Sequence, residues 1–316
     1  MPTFINTVIP PVGLGTVTSP SEDTFNAIVS AVQMGYRHID LSPRYGNQEE
    51  IGRAIKKCIE LGHIKSRKEL ILTSKLYHTC HREDLILKQL DSILEELETD
   101  YLDYFLMHAP WAFQPKNPQK VDWQPAEDKF GAILENIPYT ECWSNMLKLC
   151  PRSKARHLGV SNFSAKMLDA CFRKTGVYPC INQVECHLLL QQDDLLDYCR
   201  AKGIQLIAYA PTGEGRVKIE DLPLREHPVV KKIADNKNCT PTQIILRYHY
   251  ERGIITIPKS CNPKHILENF KSTDENLELT YDEFQKLKDI NENKRFFGQN
   301  WIGKVSPENY PYFDKF

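Results

Sequence analysis

Short apolar runs alternate with longer amphipathic segments along most of the chain. The apolar runs have the length of β-strands and lie at residues 12–15, 36–40, 70–75, 101–108, 157–160, 181–185, 205–209 and 254–258. Segments with helical spacing of apolar residues lie at 21–34, 48–58, 82–97, 140–149, 165–174, 192–202, 228–252, 264–270 and 281–291, with a break near Thr240 and Pro241. This alternation is typical of repeated βα units on a parallel sheet.

The number and spacing of these repeats predict one closed barrel. Eight strands recur along the 316 residues without a Pro- or Ser-rich linker or a shift in composition. We therefore predict an α/β protein, a (β/α)8 TIM barrel, that forms a single domain over residues 1–316.

Two segments depart from the regular spacing. Residues 109–139, after the fourth strand, are long for a connector and rich in Pro, Trp, Asn and Asp. They are predicted to form a long loop, which is either a lid or a variable surface insertion. The tail from Lys294 is aromatic, and we expect it to fold back over the mouth of the barrel.

Composition and charge mainly exclude classes of partner. The chain has 40 Lys and Arg residues against 41 Asp and Glu residues, without long basic runs. This balance argues against nucleic acid or a membrane as partner and favours a small molecule. The ten cysteines are scattered, and the chain shows neither a signal-peptide pattern nor a long apolar run. We therefore predict a cytoplasmic protein with reduced thiols.

Several common motifs for nucleotide binding and catalysis are missing from the sequence. Residues 13–15 and 213–215 lack the third glycine of a dinucleotide-binding turn, and no P-loop sequence occurs. Residues 159–163 lack the second glycine of a nucleophile elbow. Residues 78–81 offer three metal-binding side chains but no fourth at a recognisable distance, so no metal site is predicted.

Polar side chains lie at or near the ends of most predicted strands. The carboxyl ends of barrel strands meet at one mouth, so these side chains should converge there. They are Asp40, Tyr45, Lys75, His108, Ser161, Asn162, Gln183 and Tyr209. Asp40 and Lys75 by themselves are explained by a core ion pair, but Tyr45 and His108 are not. The mouth is therefore predicted to carry chemistry.

These residues lie in motifs that resemble the aldo-keto reductase superfamily, and most closely its aldose and aldehyde reductase group. Matching segments occur in the family's order at residues 13–16, 35–40, 45–47, 74–75, 102–108, 159–163, 182–185, 208–209, 257–260 and 268–269. Several motifs in one order are more specific than any one alone. The resemblance implies an enzyme that reduces aldehydes and ketones to alcohols with NADPH. The alternative is a non-enzymatic barrel that senses nicotinamide nucleotides or has a structural role.

The resemblance implies a catalytic tetrad of Asp40, Tyr45, Lys75 and His108. Tyr45 would donate a proton to the alkoxide that hydride transfer leaves on the substrate. The Lys75 ammonium is expected to lower the pKa of the phenol from its usual value of about 10, while Asp40 holds the ammonium in place. His108 would orient the carbonyl oxygen and share its developing negative charge.

The resemblance also implies a site for the nicotinamide cofactor. Ser161, Asn162 and Gln183 are assigned to the carboxamide, and Tyr209 to stacking beneath the ring. The other implied contacts are Gly15, Thr16, Lys259, Ser260, His265, Glu268 and Asn269. Lys259 favours NADPH, but His265 stands where the family commonly has arginine, so NADH remains an alternative.

The substrate pocket is expected to differ from that of aldose reductases. Three positions that usually carry tryptophan in that group are occupied here by Val17, Tyr77 and Ala109. Trp111, Trp123 and Trp301 are expected to supply aromatic surface from the loops instead. We therefore predict a wider pocket for a small carbonyl compound, in a monomeric protein.

Overall fold

The computed structural model describes residues 9–17, 21–118, 121–122, 124–128, 131–213 and 223–297. Within these residues the strands are β1 (Leu14–Gly15), β2 (His38–Asp40), β3 (Ile71–Leu76), β4 (Leu102–Met107), β5 (Ala112–Phe113), β6 (Glu127–Asp128), β7 (Gly131–Ala132), β8 (Leu134–Glu135), β9 (Ala155–Ser161), β10 (Ile181–Glu185), β11 (Gln205–Tyr209) and β12 (Ile255–Thr256). Eight of them form one parallel sheet in the order β1-β2-β3-β4-β9-β10-β11-β12.

Helices follow the strands of this sheet, as the alternating pattern predicts. They are α1 (Ser21–Gln33), α2 (Gln48–Glu60), α3 (Glu83–Glu96), α4 (Tyr139–Leu149), α5 (Ala165–Thr175), α6 (Asp193–Lys202), α7 (Pro228–Lys237), α8 (Pro241–Glu251), α9 (Pro263–Phe270) and α10 (Tyr281–Lys288). The predicted break near Thr240 is confirmed. The Thr240 hydroxyl accepts a hydrogen bond from the Gln243 amide at 3.3 Å, and the Gln243 side chain accepts one from the Thr240 amide at 3.0 Å. This reciprocal capping starts α8 as a separate helix.

Backbone contacts between the two ends of the sheet close it into a barrel. The amide of Gly13 donates to the carbonyl of Thr256 at 2.8 Å, and that of Gly15 to Pro258 at 3.0 Å. The approach is close, because a Cβ atom on Gly15 would lie 2.7 Å from the carbonyl oxygen of Ile257. The predicted (β/α)8 barrel is confirmed.

The buried apolar residues form an inner and an outer layer. Side chains that fill the inside of the barrel are Ile71, Tyr104, Leu106, Ile181, Ile207, Ile255 and Ile257. A larger cluster packs the strands against the surrounding helices. Because the inside of the barrel is filled, a ligand site has to lie at the ends of the strands, where the polar side chains are.

Residues 109–139 contain more structure than the predicted loop. β5 pairs with β8 and β6 pairs with β7, each antiparallel, so this segment carries two small two-stranded sheets. All ten cysteines are free thiols, as predicted. In the described part of the chain no helix is long and apolar enough to cross a membrane.

Candidate active site

A buried ion pair lies at the carboxyl ends of β2 and β3. Asp40 ends β2 and Lys75 lies in β3, and these two strands are paired. The Lys75 Nζ atom donates hydrogen bonds to Asp40 Oδ1 at 2.6 Å and to the carbonyl of Leu41 at 2.8 Å. Burial lowers the pKa of Lys75, and the Asp40 carboxylate opposes that shift. Two charges are tolerated here because each compensates the other.

Two residues that were assigned to the cofactor hold Asp40 in place. The Gln183 side-chain amide donates to Asp40 Oδ2 at 2.7 Å, so both carboxylate oxygens are bound. The Thr16 hydroxyl donates to the backbone carbonyl of Asp40 at 2.8 Å. The Asp40 carboxylate is therefore oriented from two strands of the barrel, β3 and β10, while Thr16 fixes its backbone.

Tyr45 lies beside this ion pair, in a short 3-10 turn over Pro43–Tyr45. The Nζ atom of Lys75 is 5.7 Å from the centroid of the Tyr45 ring. The expected lowering of the phenol pKa does not appear. Desolvation raises the pKa of Tyr45, and the Asp40 carboxylate raises it further. The main physical reason is that burial removes the water that would stabilise a phenolate.

His108 follows β4 and is part of a stack of aromatic rings. The ring of His78 lies 5.3 Å from that of His108 at an interplanar angle of 18°. The His78 ring also stacks on the ring of Trp111, with a centroid distance of 5.4 Å and an interplanar angle of 3°. Burial, followed by the neighbouring His78 and Lys75, lowers the pKa of His108 well below its usual value. His108 is therefore neutral, and its Nδ1 atom is 3.3 Å from the hydroxyl of Ser42.

His78 is a site residue that the sequence argument did not assign to the active site. The sequence showed only a cluster of possible metal ligands at residues 78–81. Among the described residues, no group of three His, Cys, Asp or Glu side chains is arranged to hold a metal ion. The His78 ring packs on His108 instead, a contact between two strand ends that no local pattern indicates.

The four residues assigned to the nicotinamide lie together and are connected to His108. The Asn162 side-chain amide donates to the His108 carbonyl at 3.0 Å, and its oxygen accepts from the Tyr209 hydroxyl at 2.9 Å. The Ser161 hydroxyl donates to the backbone carbonyl of Gln183 at 2.8 Å. Asn162 has a φ of 66°, in the left-handed region that asparagine tolerates better than most residues. Amide donors and acceptors beside an aromatic ring fit a nicotinamide group.

The remaining assigned contacts lie near the closure of the barrel and on α9. Gly15 and Thr16 line a cleft together with Lys259 and Ser260. An exposed ammonium beside a hydroxyl fits a phosphate group. On α9 three assigned residues differ in exposure: His265 is exposed, Glu268 is half-buried and 3.9 Å from Lys264, and Asn269 is buried.

The predicted pocket residues divide into three groups. Tyr77 and Trp111 are buried in the ring cluster, and the Tyr77 ring meets the His108 ring edge-on at 5.9 Å. Ala109 is buried directly after His108, whereas Val17 is 46% exposed. The expected contributions of the tryptophans at positions 123 and 301 lie outside the described residues.

Comparison with known proteins identifies the family of this chain. Residues 11–292 match the Aldo/keto reductase family. The chain belongs to this family. As an aldo/keto reductase it is an oxidoreductase that acts on carbonyl compounds with a nicotinamide cofactor.

Relatives of this aldo/keto reductase match over most of their length. The chain is 36% identical to aldo-keto reductase family 1 member C18 of Rattus norvegicus, covering 98% of this chain and 95% of the relative. It is 37% identical to aldose reductase B of Dictyostelium discoideum, covering 91% and 90%. The structure of the aldose reductase from Schistosoma japonicum superposes with a TM-score of 0.84 at 31% identity, covering 94% of each chain.

This aldo/keto reductase also has a buried carboxylate that the sequence argument did not assign a role. Glu185 ends β10, and its oxygens accept hydrogen bonds from the amides of Phe296 at 2.6 Å and Phe297 at 3.0 Å. His187 lies 2.9 Å away and Arg295 3.6 Å away. Glu185 therefore binds the start of the C-terminal segment to the end of a barrel strand. The aromatic composition of the tail was the sequence signal for this contact, because it predicted that the tail folds back over the barrel mouth.

Proposed function

We propose that this aldo/keto reductase reduces aldehydes and ketones to alcohols with NADPH and uses Tyr45 as the proton donor. The observation that carries the proposal is the Asp40–Lys75 ion pair, at 2.6 Å, beneath the Tyr45 ring and at the same barrel mouth as His108. A phenol, an ammonium and a neutral imidazole at one place can stabilise a carbonyl oxygen as it gains negative charge.

The residues of the chain act on the oxygen of the substrate. The nicotinamide, when bound, supplies a hydride with its electron pair to the carbonyl carbon. Tyr45 gives its proton to the resulting alkoxide oxygen, which is more basic than a phenolate, and is left as the phenolate itself. Because the pKa of Tyr45 is raised, the phenol keeps its proton at neutral pH until the alkoxide forms.

Lys75 stabilises the negative charge left on Tyr45, and His108 stabilises the negative charge that develops on the carbonyl oxygen. Lys75 would act as a cation beside the phenolate that Tyr45 becomes, and the Asp40 carboxylate favours its charged form by opposing the pKa shift that burial causes. His108 is neutral and donates a hydrogen bond from Nε2 to the carbonyl oxygen when the Ser42 hydroxyl donates to Nδ1. A neutral donor polarises the carbonyl without taking the proton that Tyr45 supplies.

The cofactor would be held by residues at the strand ends and at the barrel closure. Ser161, Asn162 and Gln183 carry the donors and acceptors for the carboxamide, and Tyr209 offers a ring. Lys259 supports NADPH over NADH, because its ammonium attracts an additional phosphate. We expect a lower KM for NADPH than for NADH, and equal KM values would contradict the assignment of Lys259.

The test of the proton donor is the variant Tyr45→Phe. Removal of one hydroxyl is expected to lower turnover of a nitrobenzaldehyde at least about 100-fold, because general acid catalysis is lost. Binding of NADPH, followed by fluorescence, is expected to stay within about twofold, because the ring remains. Loss of NADPH absorbance measures turnover.

The matched control replaces a tyrosine remote from the strand ends. Tyr250 lies on α8 and is 39% exposed, so Tyr250→Phe should leave turnover unchanged. Retained turnover in Tyr45→Phe would overturn the assignment of the acid. A wild-type protein that binds NADPH but reduces no activated aldehyde would instead support the non-enzymatic, nucleotide-sensing alternative.

A further inference from the structure

Arg44 lies directly before Tyr45 in the turn after β2, and its side chain is exposed. Its Nη1 atom donates a 2.7 Å hydrogen bond to the hydroxyl of Tyr77. The Cζ atom of the guanidinium is 5.9 Å from the centroid of the Tyr77 ring. The Tyr77 ring in turn contacts the His108 ring edge-on. Arg44 is thus held by a side chain that touches the proposed oxyanion-binding histidine.

The charge of Arg44 acts on the groups that would surround the substrate carbonyl. Desolvation raises the pKa of both Tyr45 and Tyr77, and Arg44 opposes these shifts. Desolvation lowers the pKa of His108, and Arg44 adds to that shift. An effect on three side chains places the guanidinium within Coulombic reach of the reacting atoms.

Arg44 differs from Lys75 and Arg295 in having no carboxylate partner among the described residues. Lys75 is paired with Asp40 at 2.6 Å, and Arg295 is 3.6 Å from Glu185. Within the ranges that the structure describes, no carboxylate lies within ion-pair distance of Arg44. An uncompensated guanidinium at the entrance to a site attracts an anionic ligand.

We propose that Arg44 binds a carboxylate carried by the substrate, so that the preferred substrates are aldehydes or ketones that bear an acid group. This inference rests on the proposed carbonyl reduction. The planar guanidinium can form two parallel N–H···O bonds to a carboxylate, and the Tyr77 hydroxyl occupies only one N–H of Nη1. The bond to Tyr77 also orients the side chain before substrate arrives, which lowers the entropy cost of binding.

The test compares two substrates that differ in charge and little in shape: para-formylbenzoate and its neutral methyl ester. We expect the wild-type protein to have the higher kcat/KM for the carboxylate. In Arg44→Met the ratio of the two kcat/KM values should fall about tenfold, because a charge-assisted hydrogen bond is lost at an exposed position. The ratio is informative because any effect of the substitution on Tyr45 acts on both substrates.

Two further variants separate charge from geometry and from general effects. Arg44→Lys keeps the positive charge without the planar fork, and its ratio should lie between those of the wild type and Arg44→Met. Arg53 is an exposed arginine on α2, 3.1 Å from Glu50, and Arg53→Met should leave the ratio unchanged. A ratio that does not change in Arg44→Met would overturn the proposed role of Arg44.

The outcome also distinguishes this inference from the proposed function. Turnover of the ester without preference for the carboxylate supports carbonyl reduction and overturns the role of Arg44. Turnover of neither compound overturns carbonyl reduction. In that case calorimetric binding of para-formylbenzoate tests Arg44 separately: about tenfold weaker binding by Arg44→Met supports the inference, and equal binding overturns it.

Discussion

Lys75 keeps its ammonium group inside the barrel beside a single carboxylate. Its side chain is 1% exposed, and its Nζ atom is 2.6 Å from Asp40. Burial lowers the pKa of Lys75, and Asp40 limits that shift. Such a pair contributes little net stability, because desolvation of both charges offsets their attraction, but removing one partner is costly. In the proposed mechanism the pair presents a cation to Tyr45.

The pH dependence of stability in Asp40→Asn tests this coupling. We expect a loss of about 3 kcal/mol in the free energy of unfolding near neutral pH, because the ammonium loses its anion. The pKa of Lys75 in the folded variant then falls further below about 10.4, its value in the unfolded chain. Between these pKa values the unfolded chain binds more protons, so stability rises with pH. Urea unfolding at about pH 7 and about pH 9 should show a smaller deficit at the higher pH.

Asp103→Asn is the matched control, because Asp103 is also a buried carboxylate but its cations are arginines. It accepts hydrogen bonds from Arg67 at 3.0 Å and Arg156 at 3.1 Å. Arginine stays charged throughout this range, so the deficit of Asp103→Asn should not change with pH. A deficit of Asp40→Asn that is equally independent of pH would contradict the coupling.

At the scale of elements, β10 and the start of the C-terminal segment are joined through one side chain. The carboxylate of Glu185 binds the amides of Phe296 and Phe297. This brings the Phe297 ring to 5.6 Å from the ring of Tyr209, on the next strand of the barrel. The Glu185 contact therefore positions an aromatic residue against the side chain proposed to stack on the nicotinamide.

Glu185→Gln is expected to loosen this attachment. The glutamine NH2 group would face an N–H donor, so hydrogen exchange of the Phe296 and Phe297 amides should become about tenfold faster. Hydrogen-exchange mass spectrometry on peptides that contain these residues measures the effect. Glu251→Gln is a suitable control, because Glu251 binds the Leu279 amide at 2.8 Å on another part of the barrel. Unchanged exchange in Glu185→Gln would contradict the role of the Glu185 carboxylate in holding the segment.

At the scale of the whole molecule, buried histidines make the fold sensitive to acid. Burial lowers the pKa of His38 to about 4, and the pKa values of His81 and His249 to about 3. Below about pH 6.5 the unfolded chain binds protons that the folded chain excludes, so stability falls as pH decreases. Each of these histidines should contribute a loss of about 2 kcal/mol between pH 8 and pH 5.

His81→Leu tests this prediction with little loss of contacts. Neither ring nitrogen of His81 has a hydrogen-bond partner within the described part of the chain, so an apolar side chain leaves no partner unsatisfied. The difference in unfolding free energy between pH 8 and pH 5 should become about 2 kcal/mol smaller than in the wild type. Urea unfolding measures it, and the exposed His265→Leu should show the wild-type difference. An equal pH dependence in His81→Leu and the wild type would contradict the prediction.

Two expectations about the whole chain, a single domain and a monomeric state, remain predictions. A single domain over residues 1–316 follows from the uninterrupted repeats, and a monomer from the expectation of a self-contained barrel. Sedimentation velocity of the full-length protein measures the oligomeric state.

The pattern of apolar residues was sufficient to predict the barrel, because the buried face of each strand and helix is marked by apolar residues within that element. The convergence of Asp40, Lys75 and His108 was also predictable, since parallel strands in a barrel end at one mouth. The two small antiparallel sheets within 109–139 were not predictable, because each of their strands has two residues, too few to show an alternation of apolar and polar side chains.

Only the tertiary structure decided which side chains meet at that mouth and with what electrostatic result. The stacking of His78 on His108 and the bond of Arg44 to Tyr77 join residues from different strand ends. The raised pKa of Tyr45 depends on the desolvation of its hydroxyl and on the nearby charges of Asp40 and Arg44. These outcomes follow from distances, burial and rotamers, which a linear order of residue types does not contain.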